Sequence, residues 1–292
     1  MLPSARAKIL LAILGIALAG GGASLWTRYS NEAAEVRIQN TQPYFAGEPP
    51  AATSADAVAT ATSSPVDMLV PILVYHIVRP SYPSDSRAVT ALAHTPQVFD
   101  AEMKYLGDAG YHITTFAALE SHLEQGTPLP SDPIILSFDD GWSDQFTYAF
   151  PILEKYHYTA EFFVFTNPIG HRGFLTWDNL RTMLKAGMVI GDHTRSHPFL
   201  TKITDPAKLW NEIDGSKLLL EKTLGITVNE FAYPFGQHDA TTTALVEEAG
   251  YKAARGDYLK RGGTTSLSQI YALGALNAPT TTAAFMLRFP RH

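Results

Sequence analysis

The chain has 292 residues, of which 46% are apolar, 17% charged and 11% aromatic, a composition that excludes wholesale disorder and collagen-like or coiled-coil architecture. Its 22 basic and 28 acidic side chains give a net charge of −6; the first 30 positions hold three bases and no acid, leaving 19 against 28, or −9, for the rest. So acidic a body lacks the basic footprint of a non-specific nucleic-acid binder, and the absence of cysteine excludes disulfides, thiol nucleophiles, zinc fingers and iron–sulfur sites, so that any metal must be held by His, Asp or Glu.

Arg6 and Lys8 precede an apolar run from Ile9 to about Ala19, followed by a glycine cluster and then Leu25 and Trp26. This is the order of an export signal. Ala17-Leu18-Ala19 offers a cleavage site, whereas the 18 residues from Ile9 to Trp26 are near the lower limit for spanning a bilayer. Residues 1–28 therefore read as a signal peptide or an inner-membrane anchor. Either places the body outside the cytoplasm, in the periplasm or cell envelope or as a secreted protein. Residues 29–68, rich in Ala, Thr, Ser, Pro and Gly beyond Gly47, bury too little apolar area to offset their ordering entropy and read as a flexible linker.

From residue 69 strands and helices alternate. Val70–Val78 (VPILVYHIV) is a β-branched apolar run of the kind covered on both faces. Thr95-Pro96 caps a helix with Phe99, Met103 and Leu106 on one stripe, stopped by Gly110. A short helix follows over 117–125, then a buried strand over Pro133–Phe138 (PIILSF), a helix over 147–156 and a strand over 160–165. A helix over 177–186 stops at Gly187, before a short strand over 188–190. Asp205-Pro206 opens a long helix closed by Gly225, and a strand over 229–233 and a helix from Asp239 to about Gly250 complete the pattern. The alternation predicts an α/β fold with a mostly parallel sheet.

In such folds the carboxyl ends of the strands converge on the site. Asp139 and Asp140 follow PIILSF directly, His193 and His197 follow Met188-Val189-Ile190, and Tyr233, Pro234 and Phe235 end the strand over 229–233. Asp140, His193 and His197 form a plausible facial ligand set, two imidazoles and a carboxylate, suited to one divalent ion such as zinc with positions left for water and substrate. If Asp140 binds metal, Asp139 stays free as a base toward activated water. Thr194 after His193 rules out the HExxH arrangement. Either half alone reads as a turn or as unrelated histidines; it is their joint placement after buried strands that points to a centre.

Ser137-Phe138-Asp139-Asp140-Gly141, His193-Thr194-Arg195-Ser196-His197 and Phe231-Ala232-Tyr233-Pro234-Phe235-Gly236 resemble, in order and placement, the three leading motifs of the NodB-type polysaccharide deacetylases, carbohydrate esterase family 4. The resemblance covers roughly residues 69–290 and makes 69–292 the deacetylase domain. It implies a distorted (β/α) barrel of the NodB-homology type and metal-dependent removal of acetyl groups from an N-acetylated glycan. Carried over, Asp139 is the base; Asp140, His193 and His197 hold the metal, zinc with cobalt or manganese as alternatives; and the backbone N–H of Phe235 stabilises the oxyanion. Two positions depart from the pattern. Ala232 stands where the family has an arginine that orients the base, leaving Arg255 as a possible substitute, and the late Leu-x-His that supplies the acid is missing. His76, on the first strand, resembles the acid of the exopolysaccharide poly-N-acetylglucosamine deacetylase branch, where that histidine comes first in the chain. Trp142, Tyr75, Tyr233, Phe235 and Trp177 are candidate sugar platforms, Trp142 foremost. An O-deacetylase or other metal-dependent amidohydrolase on the same centre, and a non-catalytic glycan-binding domain, are the alternatives.

Overall fold

The computed structural model describes residues 70–258 and 269–291. The expected export segment and the linker lie outside these residues, and among the described residues no helix is long and apolar enough to cross a membrane.

The described residues form ten strands: β1 (Ile72–Tyr75), β2 (Ile77–Val78), β3 (Ala93–His94), β4 (His112–Thr114), β5 (Pro133–Phe138), β6 (Glu161–Val164), β7 (Val189–Asp192), β8 (Glu230–Ala232), β9 (Ala253–Tyr258) and β10 (Leu273–Asn277). Seven run parallel in the order β1-β10-β9-β8-β7-β6-β5, and β5 pairs back onto β1 to close a barrel. The closing register sets Leu73 beside Leu136 and Tyr75 beside Phe138. Short β4 adds to the start of β5. The expected distorted (β/α) barrel is therefore found, with seven strands in place of the eight of a regular barrel.

A period of two sorts each strand between two cores. Leu73, Tyr75, Leu136, Phe138, Phe162, Val164, Phe231 and Leu276 pack outward under the helices. Ile72, Val74, Ile135, Phe163, Ala232, Ala253, Leu273 and Ala275 form a second cluster that fills the barrel. Phe116 and Leu119 of the helix Phe116–Gln125 join that inner cluster, and the Phe116 N–H donates to Glu161 at the start of β6, so this helix plugs the amino-terminal end. The inner wall is small on one side. Gly191 has no room for a Cβ, which would lie 2.5 Å from the Phe163 ring.

The helices begin and end where capping chemistry directs. Thr95 accepts from the Val98 N–H ahead of the helix Pro96–Asp108, and Asp205 accepts from Ala207 and Lys208 ahead of Pro206–Leu224, which Gly225 ends at φ 70°. Elsewhere the structure corrects the sequence pattern. The run Val70–Val78 is two strands broken at His76: β1 belongs to the barrel, whereas β2 leaves it to pair with β3. β4, β9, β10 and the helix Thr282–Arg288 were not anticipated. β9 carries an arginine and both β9 and β10 contain alanine and glycine, residues of low strand propensity, and only closure of the barrel makes strands of them.

Behind β1 a polar trio is sealed into the outer core. Tyr75 Oη donates to Glu102 Oε2 at 3.2 Å, and His94 Nε2 lies 3.1 Å from the Pro279 carbonyl and 3.9 Å from Glu102 Oε1. Burial pushes Glu102 up to about 8 and His94 down to about 4, so both are neutral at pH 7. Folded Glu102 thus keeps a proton that the unfolded chain releases above its ordinary value, and stability falls as pH rises through the interval ending near 8. His94 opposes that slope while the unfolded imidazole is still losing its proton, and contributes nothing above about pH 7.5. Between about pH 7.5 and 8.5 the melting temperature should therefore fall, and Glu102→Gln, which cannot lose the proton, should flatten that fall. Parallel pH profiles for the two proteins would contradict the assignment.

Candidate metal centre

The site lies at the carboxyl ends of β5, β7 and β8. At the end of β5 the chain turns through two successive left-handed residues, Asp140 (φ 73°) and Gly141 (φ 70°). Gly141 is tightly packed, since a Cβ there would meet Val164 at 3.0 Å. The turn separates the two acids. Asp139 faces inward and is fully buried, and Asp140 swings over the barrel mouth. The indole of Trp142 donates to Asp140 Oδ2 at 3.0 Å, which leaves Oδ1 toward the histidines.

After β7, Thr194 and His197 also take positive φ, 75° and 57°. A left-handed β-branched residue is an outlier that its surroundings must hold in place, at a cost of order 1–3 kcal/mol. The hold is visible. Asp192 accepts from the Thr194 N–H at 2.7 Å and is itself bound by Ser216 and Tyr251. Glu212, on the long helix, accepts from the backbone N–H of Arg195 and Ser196 and from the Ser196 hydroxyl. The loop is thereby wound so that both imidazoles face Asp140.

His193 Nδ1 lies 2.7 Å from the Ala232 carbonyl. A carbonyl only accepts, so Nδ1 carries the proton and Nε2 presents its lone pair. That Nε2 is 3.7 Å from Asp140 Oδ1, and His197 Nε2 is 3.3 Å from the same oxygen. The ligand atoms of Asp140, His193 and His197 all lie within 4.8 Å of one another. Burial pushes the His193 imidazole down to about 3 and lowers that of His197 as well, so both are neutral donors. The donor set, the backbone bond that orients His193 and the indole bond that orients Asp140 fit one divalent cation of the borderline class.

Asp139 stands beside this set with its carboxylate unshared by the three. Oδ2 is 3.8 Å from His76 Nε2 and 4.0 Å from His193 Nε2, and Arg255, fully buried, forms an ion pair with Oδ1. Arg255 is the in-register neighbour of Ala232 across the β8–β9 pair, and its guanidinium crosses the barrel over the Phe163 ring. The charge absent at Ala232 thus arrives from the next strand. His76 is 13% exposed, and burial pushes it down to about 4.

An aromatic arc runs along the rim from Trp142 through Phe174, Phe165, His197 and Phe235 to Phe199, with successive ring centroids 3.9–5.5 Å apart. Phe235, left-handed at φ 61° and 44% exposed, and half-buried Trp142 are on this arc. Phe165, Phe174 and Phe199 were not singled out in the sequence. Tyr233 and Tyr75 offer no platform. Tyr233 is fully buried with its hydroxyl on the Tyr271 carbonyl, and Tyr75 is fully buried in the outer core. Trp177 packs against that core as a helix start. His238 is half-buried against Tyr233, and neither it nor His112, His122, His157 or His171 joins a ligating cluster among the described residues.

The parallel α/β barrel thus carries, at its strand ends, a two-histidine, one-carboxylate donor set that could hold a metal ion, with a separate buried acid beside it. The family comparison makes this specific. The polysaccharide deacetylase family model matches residues 126–254. The chain is 30% identical over 183 residues, 63% of its length, to the Bacillus subtilis protein YxkH, a polysaccharide deacetylase by name. It is 24% identical over 184 residues, 58% of its length, to the poly-β-1,6-N-acetyl-D-glucosamine N-deacetylase of Staphylococcus aureus. Each match spans 62% of the relative, so the chain covers under two thirds of these curated proteins. Among solved structures, the Streptococcus pyogenes deacetylase PplD in complex with acetate superimposes with a TM-score of 0.69 at 25% identity over 76% of this chain and 98% of that one. IcaB from Ammonifex degensii shares the fold, with a TM-score of 0.67 at 22% identity over 77% and 97%. Residues 126–254 thus match the polysaccharide deacetylase family in sequence, and the barrel is similar in fold to solved deacetylases.

Proposed function

We propose that the protein removes N-acetyl groups from an extracytoplasmic amino-sugar polymer and releases acetate. The observation that carries this reading is the joint placement of three neutral or anionic donors within 4.8 Å and a buried carboxylate, held by Arg255, beside them. The curated relative that acts on poly-β-1,6-N-acetyl-D-glucosamine supports the substrate class. Asp140, His193 and His197 would hold zinc, with cobalt or manganese as substitutes. A divalent cation there supplies Lewis-acid activation of water and of the acyl oxygen.

The residues divide the remaining work. Asp139 Oδ2 takes the proton of the attacking water as its oxygen bonds the acetamide carbon. The Phe235 N–H, at the left-handed turn on the rim, donates to the oxyanion, a contribution of about 3 kcal/mol for a preorganised donor. His76 donates a proton to the amine nitrogen as the C–N bond breaks, leaving acetate and a free amine. Neutral at rest, the imidazole gains that proton within the cycle, beside the carboxylate 3.8 Å away that has just received one. Trp142 and the exposed Phe235 ring carry the sugar. Residues 1–28 serve as signal or inner-membrane tether, 29–68 as linker and 69–292 as the catalytic domain.

The test is acetate release from a panel of N-acetylated glycans before and after chelation, with zinc, cobalt or manganese restored. Release that stops on chelation and returns with metal is the expected result. Release from no N-acetylated glycan under any metal would refute the function. His76→Ala should lower kcat by ~10²–10⁴-fold, the range of general acid–base catalysis, with KM little changed; a loss under threefold would make His76 a structural residue.

A further inference from the structure

The two groups assigned to proton transfer, His76 and Asp139, sit on different strands and are tied together by a third residue. Gln145 is fully buried in a single π-helical turn, Gln145–Ala149, at the start of the helix Phe150–Tyr156. Its Nε2 donates to the backbone carbonyl of His76 at 2.9 Å and to that of Asp139 at 2.5 Å. Its Oε1 is buried without a hydrogen-bond partner among the described residues. Turning the amide over would set that oxygen against two carbonyls, so its orientation is fixed. The preceding residue acts on the same segment, with Asp144 Oδ1 accepting from the Val78 N–H at 3.0 Å.

His76 needs such a hold. It falls in the gap between β1 and β2, whereas Asp139 is anchored independently by its N–H to the Tyr75 carbonyl and by Arg255 on its side chain. A π-turn is intrinsically unfavourable and is found disproportionately at functional sites; here it presents adjacent side chains to one break in one strand.

We propose that Gln145 and Asp144 are positioning residues that clamp the β1–β2 break and thereby set the His76 imidazole against Asp139. Removing the clamp leaves the metal donors in place and displaces the acid. This inference rests on the deacetylase reading above. A misplacement of about 1 Å costs on the order of 10²-fold in rate.

The experiment is a double-mutant cycle on acetate release from an N-acetylated glycan. Gln145→Met keeps the volume and removes both donors. Alone it should lower kcat ~10–100-fold with KM within about twofold. In a His76→Ala background it should cost less than about threefold, because the group it positions is gone. Asp144→Ala should reproduce the loss in milder form and Asp144→Asn, which keeps an acceptor for Val78, should rescue it, a second route should Gln145→Met fold poorly. Zinc affinity should be the same in all variants. Equal losses from Gln145→Met with and without His76, or no loss from Gln145→Met and Asp144→Ala, would overturn the clamp while leaving the function standing. A wild-type chain that releases no acetate would overturn the function and the clamp with it.

Discussion

Asp139→Asn should lower kcat for acetate release by ~10²–10⁴-fold while zinc affinity stays within a few-fold of wild type. Asparagine keeps the size of the side chain and an oxygen for Arg255 but leaves the buried guanidinium without its counter-charge, so the variant should be less stable, and kcat is read on its folded fraction; what it loses chemically is the capacity to take a proton. The three donor atoms belong to Asp140, His193 and His197, and Asp139 lies outside that set. The pairing of lost turnover with retained metal therefore separates a base from a ligand. A variant that loses the metal with its activity would move Asp139 into the coordination sphere, and one that retains wild-type turnover would remove it from the mechanism.

Arg255→Met should be the most damaging single substitution for folding. Arginine and aspartate are both fully shielded from water, and taking one partner from a buried ion pair costs about 3–5 kcal/mol because the other is left as an uncompensated charge. The cost should shrink in Asp139→Asn/Arg255→Met, where the charge left behind is gone, so the two changes should be strongly non-additive in denaturant unfolding. Arg255→Lys should recover little, because its point charge lacks the flat guanidinium that lies over Phe163. Additive losses would mean that Arg255 merely fills space between Phe163 and the strands.

Most of the barrel could be read from the chain because its strands are continuous apolar runs and its longer helices announce their ends, as at Thr95-Pro96 and Asp205-Pro206. The metal donors could be read because they follow such strands at once. What escaped depends on closure. Arg255 sits in a strand of alanine, glycine and charge, where nothing local marks the interior; only its register opposite Ala232 shows that an arginine one strand over reaches the same carboxylate. Phe165, Phe174 and Phe199 carry no local signal, and they acquire a rim role only because the loop after β6 and the loop after β7 meet there. Tyr233 erred in the opposite direction. It adjoins the turn that carries Phe235, but strand alternation sends its ring outward into the core under the helices.

Direct measurement of bound divalent cation is the most searching test. Dialysed against buffered zinc, the wild-type chain should hold one ion, His193→Ala and His197→Ala should each lose most of that affinity, and Asp139→Asn should not. Stoichiometric zinc binding that survives replacement of both histidines, or a wild-type chain that takes up none, would contradict the account at its root.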